Sequence, residues 1–283
     1  MSEQKSILVT GAAGGIGAGI VTALAERGHT VYAGVRADTN VFDGLANVRT
    51  VRLDVADPAS ASAAARLIAA ELDGRGLAAV VNNAGLIVQG PLELVPPADL
   101  RRQFEVNTFG PVFVAQAFLP LLRAARGRIV NISAPTARMP FPMLGALSGS
   151  KAALASMSEA LRGELLAWGV PVALVEPGNT ATEIFARAAA ADAAALAAAD
   201  PERARLYAAH RTAFERAAER RRPAAVDATA RVVVRAVEAR RPRRHYAVSG
   251  EVRAVGLLLR LPYAVRSRLV RRALGLHAVP AGG

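Results

Sequence analysis

Thr10-Gly11-Ala12-Ala13-Gly14-Gly15-Ile16-Gly17 is the stretch whose reading decides the fold. A short apolar run at 6–10 leads into it, and a helical apolar pattern near 15–27 leads out. Glycines in such a turn let the backbone bend tightly and approach a pyrophosphate. The N–H groups and dipole of the helix start then attract the negative charge. A glycine-rich turn alone is a weak signal, and its strand–turn–helix setting strengthens it. Working outward, further runs rich in Val, Ile or Leu occur at 30–36, 48–54, 78–82, 128–132 and 170–176, with a last candidate strand at 245–248. Helical patterns lie between them, near 58–73, 97–125, 150–168 and 223–240. Short continuous apolar strands alternating with helices predict an α/β fold: a doubly wound parallel sheet of Rossmann type, covered on both faces. Ligands of such sheets sit beyond the carboxyl ends of the strands.

Composition narrows the chemistry. The chain has 283 residues, 52% of them apolar, enough for one large packed core. Cysteine is absent, which removes disulfides, thiolate catalysis and cysteine–metal sites. The four histidines, at 29, 210, 245 and 277, are far apart in sequence, and no metal site is expected. No run is long and apolar enough for a membrane span, and the start Ser2-Glu3-Gln4-Lys5 does not read as a signal peptide. The expected compartment is the cytoplasm. Net charge is +12, but residues 240–272 hold ten arginines against one glutamate, so most of it is local. No helix-turn-helix or aromatic-interleaved basic patch accompanies it, and no nucleic-acid partner is expected. Lys5 and Lys151 are the only lysines among 35 basic residues, which draws attention to Lys151.

Two regions break the β/α rhythm. Residues 183–222 are rich in alanine and charge and read as a helical insert leaving the carboxyl end of a strand, as a lid over a ligand would. Residues 251–275 read as basic amphipathic helices. The predicted organisation is one nucleotide-binding domain over 1–250, including the lid, and a C-terminal basic extension over 251–283. The extension should pack through Val252, Val255, Leu258, Leu259, Leu269 and Val270 on the domain or on a second subunit, the rival being a membrane surface.

Further motifs follow in order. Asp54-Val55 closes the third strand, Asn82-Asn83-Ala84-Gly85 the fourth, Val106-Asn107 lies in the next helix, Lys151 opens another, and Pro177-Gly178 with Thr182 follows the sixth strand. With the spacing Thr-Gly-x3-Gly-x-Gly, this series resembles the short-chain dehydrogenase/reductase family over about residues 5–250. The resemblance implies a nicotinamide dinucleotide held by Gly11, Ala13, Gly15, Ile16, Asp54, Val55, Asn82, Ala84, Gly85, Lys151, Pro177, Gly178 and Thr182. The cofactor choice follows from the end of the second strand. Arg36 stands where a carboxylate would favour NAD, and its guanidinium can pair with a 2′-phosphate, so NADP is expected.

The family's acid–base tetrad is half absent. Asn107 and Lys151 remain. Four residues before Lys151, where the family has tyrosine, stands Leu147; thirteen further back, where it has serine, stands Ala134. Neither can move a proton. Ser133, Ser148 and Tyr207 are candidate substitutes, and Thr136 and Arg138 could face substrate. On a regular strand Ser133 should point away from the site. Loss of both groups on an intact cofactor frame resembles the atypical ketoreductases of angucyclinone pathways. That resemblance implies a small-molecule ketone, polycyclic and aromatic, that receives hydride from NADPH and a proton from its own hydroxyl or from water. Two other readings fit the same residues: a non-catalytic NADP-binding partner protein, and a non-redox lyase or cyclase on the same fold. Relatives with C-terminal elements at subunit contacts make a homo-oligomer the expected assembly.

Overall fold

The computed structural model describes residues 4–279, so 1–3 and 280–283, the ends of the two expected segments, lie outside the described residues. Seven strands form one sheet in the order β3-β2-β1-β4-β5-β6-β7. They are β1 Ser6–Thr10, β2 Thr30–Val35, β3 Val48–Arg52, β4 Ala79–Asn82, β5 Arg128–Ile132, β6 Val172–Glu176 and β7 His245–Ala247. Every pairing is parallel. Strand order reverses between β1 and β4, where the connections diverge and open a crevice at the carboxyl ends.

Strand alternation divides the core. Ile7 and Val9 face one side, with Ile20 and Leu24 of α1 (Gly15–Ala25) and Val233 and Val237 of α9 (Val226–Glu238). Leu8 and Val80 face the other, with Ile68 of α2 (Pro58–Leu72) and Phe118 and Leu122 of α4 (Gly110–Ala124). Helix starts follow local chemistry: Asp57 accepts from the Ala59 N–H at 2.9 Å just before Pro58.

The helix expected over 97–125 is interrupted. α3 (Pro97–Phe104) passes into a π-turn at Glu105–Phe109 before α4 begins. Pro111 has no N–H to continue the helical ladder. Gly110 lies against Val55, where a Cβ would come 2.9 Å from Cγ2. Single π-turns recur at functional sites, and this one contains Asn107. The helix expected from 150 begins earlier, as α5 (Gly145–Glu164).

The insert is three helices: α6 (Ile184–Ala197), α7 (Pro201–Leu206) and α8 (Ala208–Glu219). Beyond β7 come α10 (Gly250–Leu258) and α11 (Tyr263–Ala273). Val252 and Val255 are buried and Leu258, Leu259 and Val270 half-buried, whereas Leu269 is 41% exposed on the single chain. Leu274 and Leu276 are buried instead, against Ala213, Phe214 and Ala217 of α8. Among the described residues no helix is long and apolar enough to cross a membrane.

Candidate active site

The glycine turn is stitched to the neighbouring strand end. Thr10 Oγ1 accepts from the Asn83 and Ala84 N–H groups at 3.1 and 3.0 Å. Asn83 Nδ2 donates back to the carbonyls of Thr10 and Gly11 at 3.0 and 3.1 Å. Gly11 has φ +61° and sits so close to Ala84 that a Cβ would come 2.7 Å from its Cα. At Gly17 a Cβ would lie 2.2 Å from the Gly11 carbonyl oxygen, so only glycine brings helix and turn this close. No side chain caps α1 at Gly14. The turn is thus a bare cradle at an uncapped helix start, which fits a pyrophosphate.

Two connected compartments flank the turn. The first, about 320 Å³, has Arg36, Leu53, Asp54 and Val55 at one end and Leu94, Val95, Ile184 and Ala188 towards the insert. The second, about 210 Å³, is walled by Gly15, Ile16, Ser133, Ala134, Leu147, Lys151, Pro177, Gly178 and Thr182. Gly11, Ala84, Gly85, Ile184 and Arg187 border both. Arg36 is exposed at the rim. The Asp54 carboxylate accepts from the Ala56 N–H at 3.0 Å and fixes the loop beneath. Thr182 touches the turn: a Cβ on Gly15 would meet its methyl at 2.7 Å.

Asn107 and Lys151 come together around Gly85, where a Cβ would lie 3.3 Å from Asn107 Oδ1 and 3.9 Å from Lys151 Nζ. The Asn107 amide is consumed by Leu86, accepting from its N–H and donating to its carbonyl, both at 2.9 Å. Lys151 Nζ donates to the Ile132 carbonyl at 2.7 Å. Burial lowers the Lys151 ammonium from 10.5 to about 8.

Two expected cofactor residues do not line the cleft. Ala13 is exposed and borders neither compartment. Asn82 turns into the core, where Nδ2 donates to Asn131 Oδ1 at 2.8 Å; its strand neighbour Asn83 faces the cleft instead. Asn82 ends β4 with its side chain towards Asn131 of β5, and the chain turns at Asn83 towards Thr10 and Gly11. The proton-donor candidates separate too. Ser148 Oγ is buried and donates to the Leu144 carbonyl at 2.7 Å. Tyr207 is exposed and donates to Glu93 at 2.7 Å. Neither lines a compartment, nor does Thr136. Arg138 pairs with Glu176. Ser133 borders the cleft, but its hydroxyl is buried and its N–H continues the pairing with β6, donating to the Val175 carbonyl at 2.8 Å. No tyrosine lines either compartment. Arg187, on the wall of both, was not singled out in the sequence; it lies in an alanine-rich run with no motif.

The sequence profile of the short chain dehydrogenase family matches residues 5–193. The chain belongs to that family. It is 40% identical over 64% of its length to 3-amino-tetrahydro-pyrrolizinone reductase of Xenorhabdus hominickii, and 38% identical over 64% to estradiol 17-beta-dehydrogenase 2 of Rattus norvegicus. It spans 64% of the length of the first and 50% of the second. Among solved structures, a short chain dehydrogenase from Burkholderia cenocepacia J2315 in complex with NADP superposes with a TM-score of 0.76 at 28% identity, covering 95% of this chain and 99% of that one.

Proposed function

We propose that this protein is an NADPH-dependent ketoreductase of a polycyclic aromatic ketone, and that the proton reaching the new alkoxide comes from the substrate or from water. The observation that carries the reading is the pair Ala134 and Leu147 on the wall beside Lys151. They stand at the family's serine and tyrosine positions, on a cleft whose nucleotide features are intact. The NADP-bound neighbour supports the cofactor, as does Arg36 at the rim, where a 2′-phosphate would pair with it. The reductase and the estradiol dehydrogenase among the relatives support carbonyl–alcohol chemistry.

NADPH, when bound, supplies the hydride for the carbonyl carbon. The chain's own residues do the rest. Gly11, Gly15 and the α1 start would hold the pyrophosphate, Arg36 the 2′-phosphate, Lys151 the ribose, and Thr182 with Pro177 and Gly178 the carboxamide end. Leu147 and Ala134 give the carbonyl an apolar wall without a donor. Positioned acid–base catalysis contributes about 10²–10⁴-fold, and alignment of the reacting atoms is a separate and large contribution. A hydroxyl next to the ketone brings its own hydrogen bond. It donates its proton to the oxygen as hydride arrives, and water restores it. The pattern of losses resembles that of the angucyclinone ketoreductases, the simocyclinone enzyme in particular.

The test measures NADPH oxidation with a polycyclic ketone bearing an adjacent phenol, and with its methyl ether. Reduction should fall at least a hundredfold with the ether at equal occupancy. Equal rates would refute substrate assistance and turn attention to Ser133 or a bound water.

A further inference from the structure

The C-terminal helices leave a face that the fold does not use. α11 buries no residue at all. Tyr263 is 78% exposed and Leu257 64%, and Val265 and Leu269, one turn apart on the same side of α11, are each 41% exposed. Between 251 and 279 stand six arginines and one acid, Glu251. None of the six, at 253, 260, 266, 268, 271 and 272, forms an ion pair among the described residues. The guanidinium of Arg266 lies over the Tyr263 ring at 5.8 Å. The module is nonetheless anchored from behind. Val270, Leu274 and Leu276 pack on α8, in the insert whose first helix walls the cleft.

We propose that α11 and the end of α10 dock this protein on an anionic lipid surface. Apolar side chains projecting between unpaired arginines, with an aromatic ring at one end, match the chemistry of an interface: acyl chains below, phosphates around. Charge selects this occupant. A second copy would bring a second set of unpaired cations onto the first, whereas anionic headgroups neutralise them. Each arginine near such a surface strengthens binding about fivefold. The same helices are fixed to the insert, so docking would bring the cleft to the lipid boundary, where an apolar polycycle concentrates.

The experiment uses the full chain and sedimentation at physiological salt with two vesicle types, pure phosphatidylcholine and phosphatidylcholine with phosphatidylglycerol two to one. The parent protein should co-sediment with the anionic vesicles alone. The variant Arg268→Glu/Arg271→Glu/Arg272→Glu should bind them about a hundredfold more weakly, and Val265→Asp/Leu269→Asp should also detach, while both keep parent-like NADPH affinity as proof of folding. No co-sedimentation, or equal binding to neutral vesicles, overturns the proposal. So does concentration-dependent self-association that Val265→Asp/Leu269→Asp abolishes, which would make the face a contact between copies.

Discussion

Replacing Lys151 with methionine should stabilise the nucleotide-free protein at neutral pH while weakening NADPH binding. The ammonium is buried and donates to the Ile132 carbonyl, and burial lowers its pKa from 10.5 to about 8. A folded-state pKa below the unfolded value means the unfolded chain holds more protons between pH 8 and 10.5. The charge therefore costs stability below about pH 8, and the cost fades as pH rises through that window. At about 1.4 kcal/mol per tenfold change in proton affinity, the cost is about 3 kcal/mol at pH 7 and about 1.4 kcal/mol at pH 9.5. Loss of the bond to Ile132 offsets part of this in the variant, at both pH values alike. The difference in stability between variant and parent should thus shrink by about 2 kcal/mol between the two, on the order of 4 °C in melting temperature. Thermal melts of both proteins without nucleotide, at pH 7 and 9.5, measure it, and the remaining ionisable groups cancel in the comparison. A difference that stays constant with pH would refute the reasoning. Turnover by the variant should recover in part with excess NADPH, since no tyrosine depends on this amine.

Arg36→Ala should erase most of the preference for NADPH over NADH, a loss of about 1–3 kcal/mol in affinity for the phosphorylated cofactor; titration of both cofactors against both proteins reads it, and equal affinities in the parent would contradict the assignment. Leu147→Tyr with Ala134→Ser should leave the native reduction unchanged or slow it by occupying the substrate's wall, and a tenfold gain in kcat would show that proton delivery had limited the parent.

The parallel sheet and the glycine turn were legible because their signals are local: continuous β-rich runs, a turn that only glycine permits, and helices between them. Boundaries drifted by a few residues, and the features missed are those that depend on non-local packing. Pro111 is visible in the sequence, but the π-turn before it also reflects Gly110 meeting Val55 from another strand end. Asn82 and Asn83 are indistinguishable in the motif until the facing of β4 is known. Ser133 follows alternation one residue past β5, and its hydroxyl is buried. Leu269 reads as a packing residue by periodicity, but nothing covers that side of α11. Ala134 and Leu147 are fixed in the sequence by their distance from Lys151, and both stand on the cleft wall.

The buried amine also weighs the readings of this fold against one another. A lyase or cyclase working without nucleotide would carry an ammonium buried at a cost, beside a carbonyl that satisfies only one of its three donors. It would also hold an uncapped helix start over a bare glycine cradle with nothing to bind there. Both features become favourable together when an anionic, hydroxyl-bearing ligand fills the space, because the same ligand supplies charge to the helix start and acceptors to the amine. A protein that merely senses the nucleotide would satisfy these features equally. It would have no use for the reach of the first compartment beyond its Arg36 and Asp54 end, towards Leu94, Val95 and α6. That end of the first compartment gives a ring system somewhere to lie, and its carbonyl would reach Ala134 and Leu147 across the shared border with the second. Filling it should then separate the readings: Ala188→Phe, from the wall of α6, should leave NADPH affinity intact and abolish turnover, and undiminished turnover would place the substrate elsewhere.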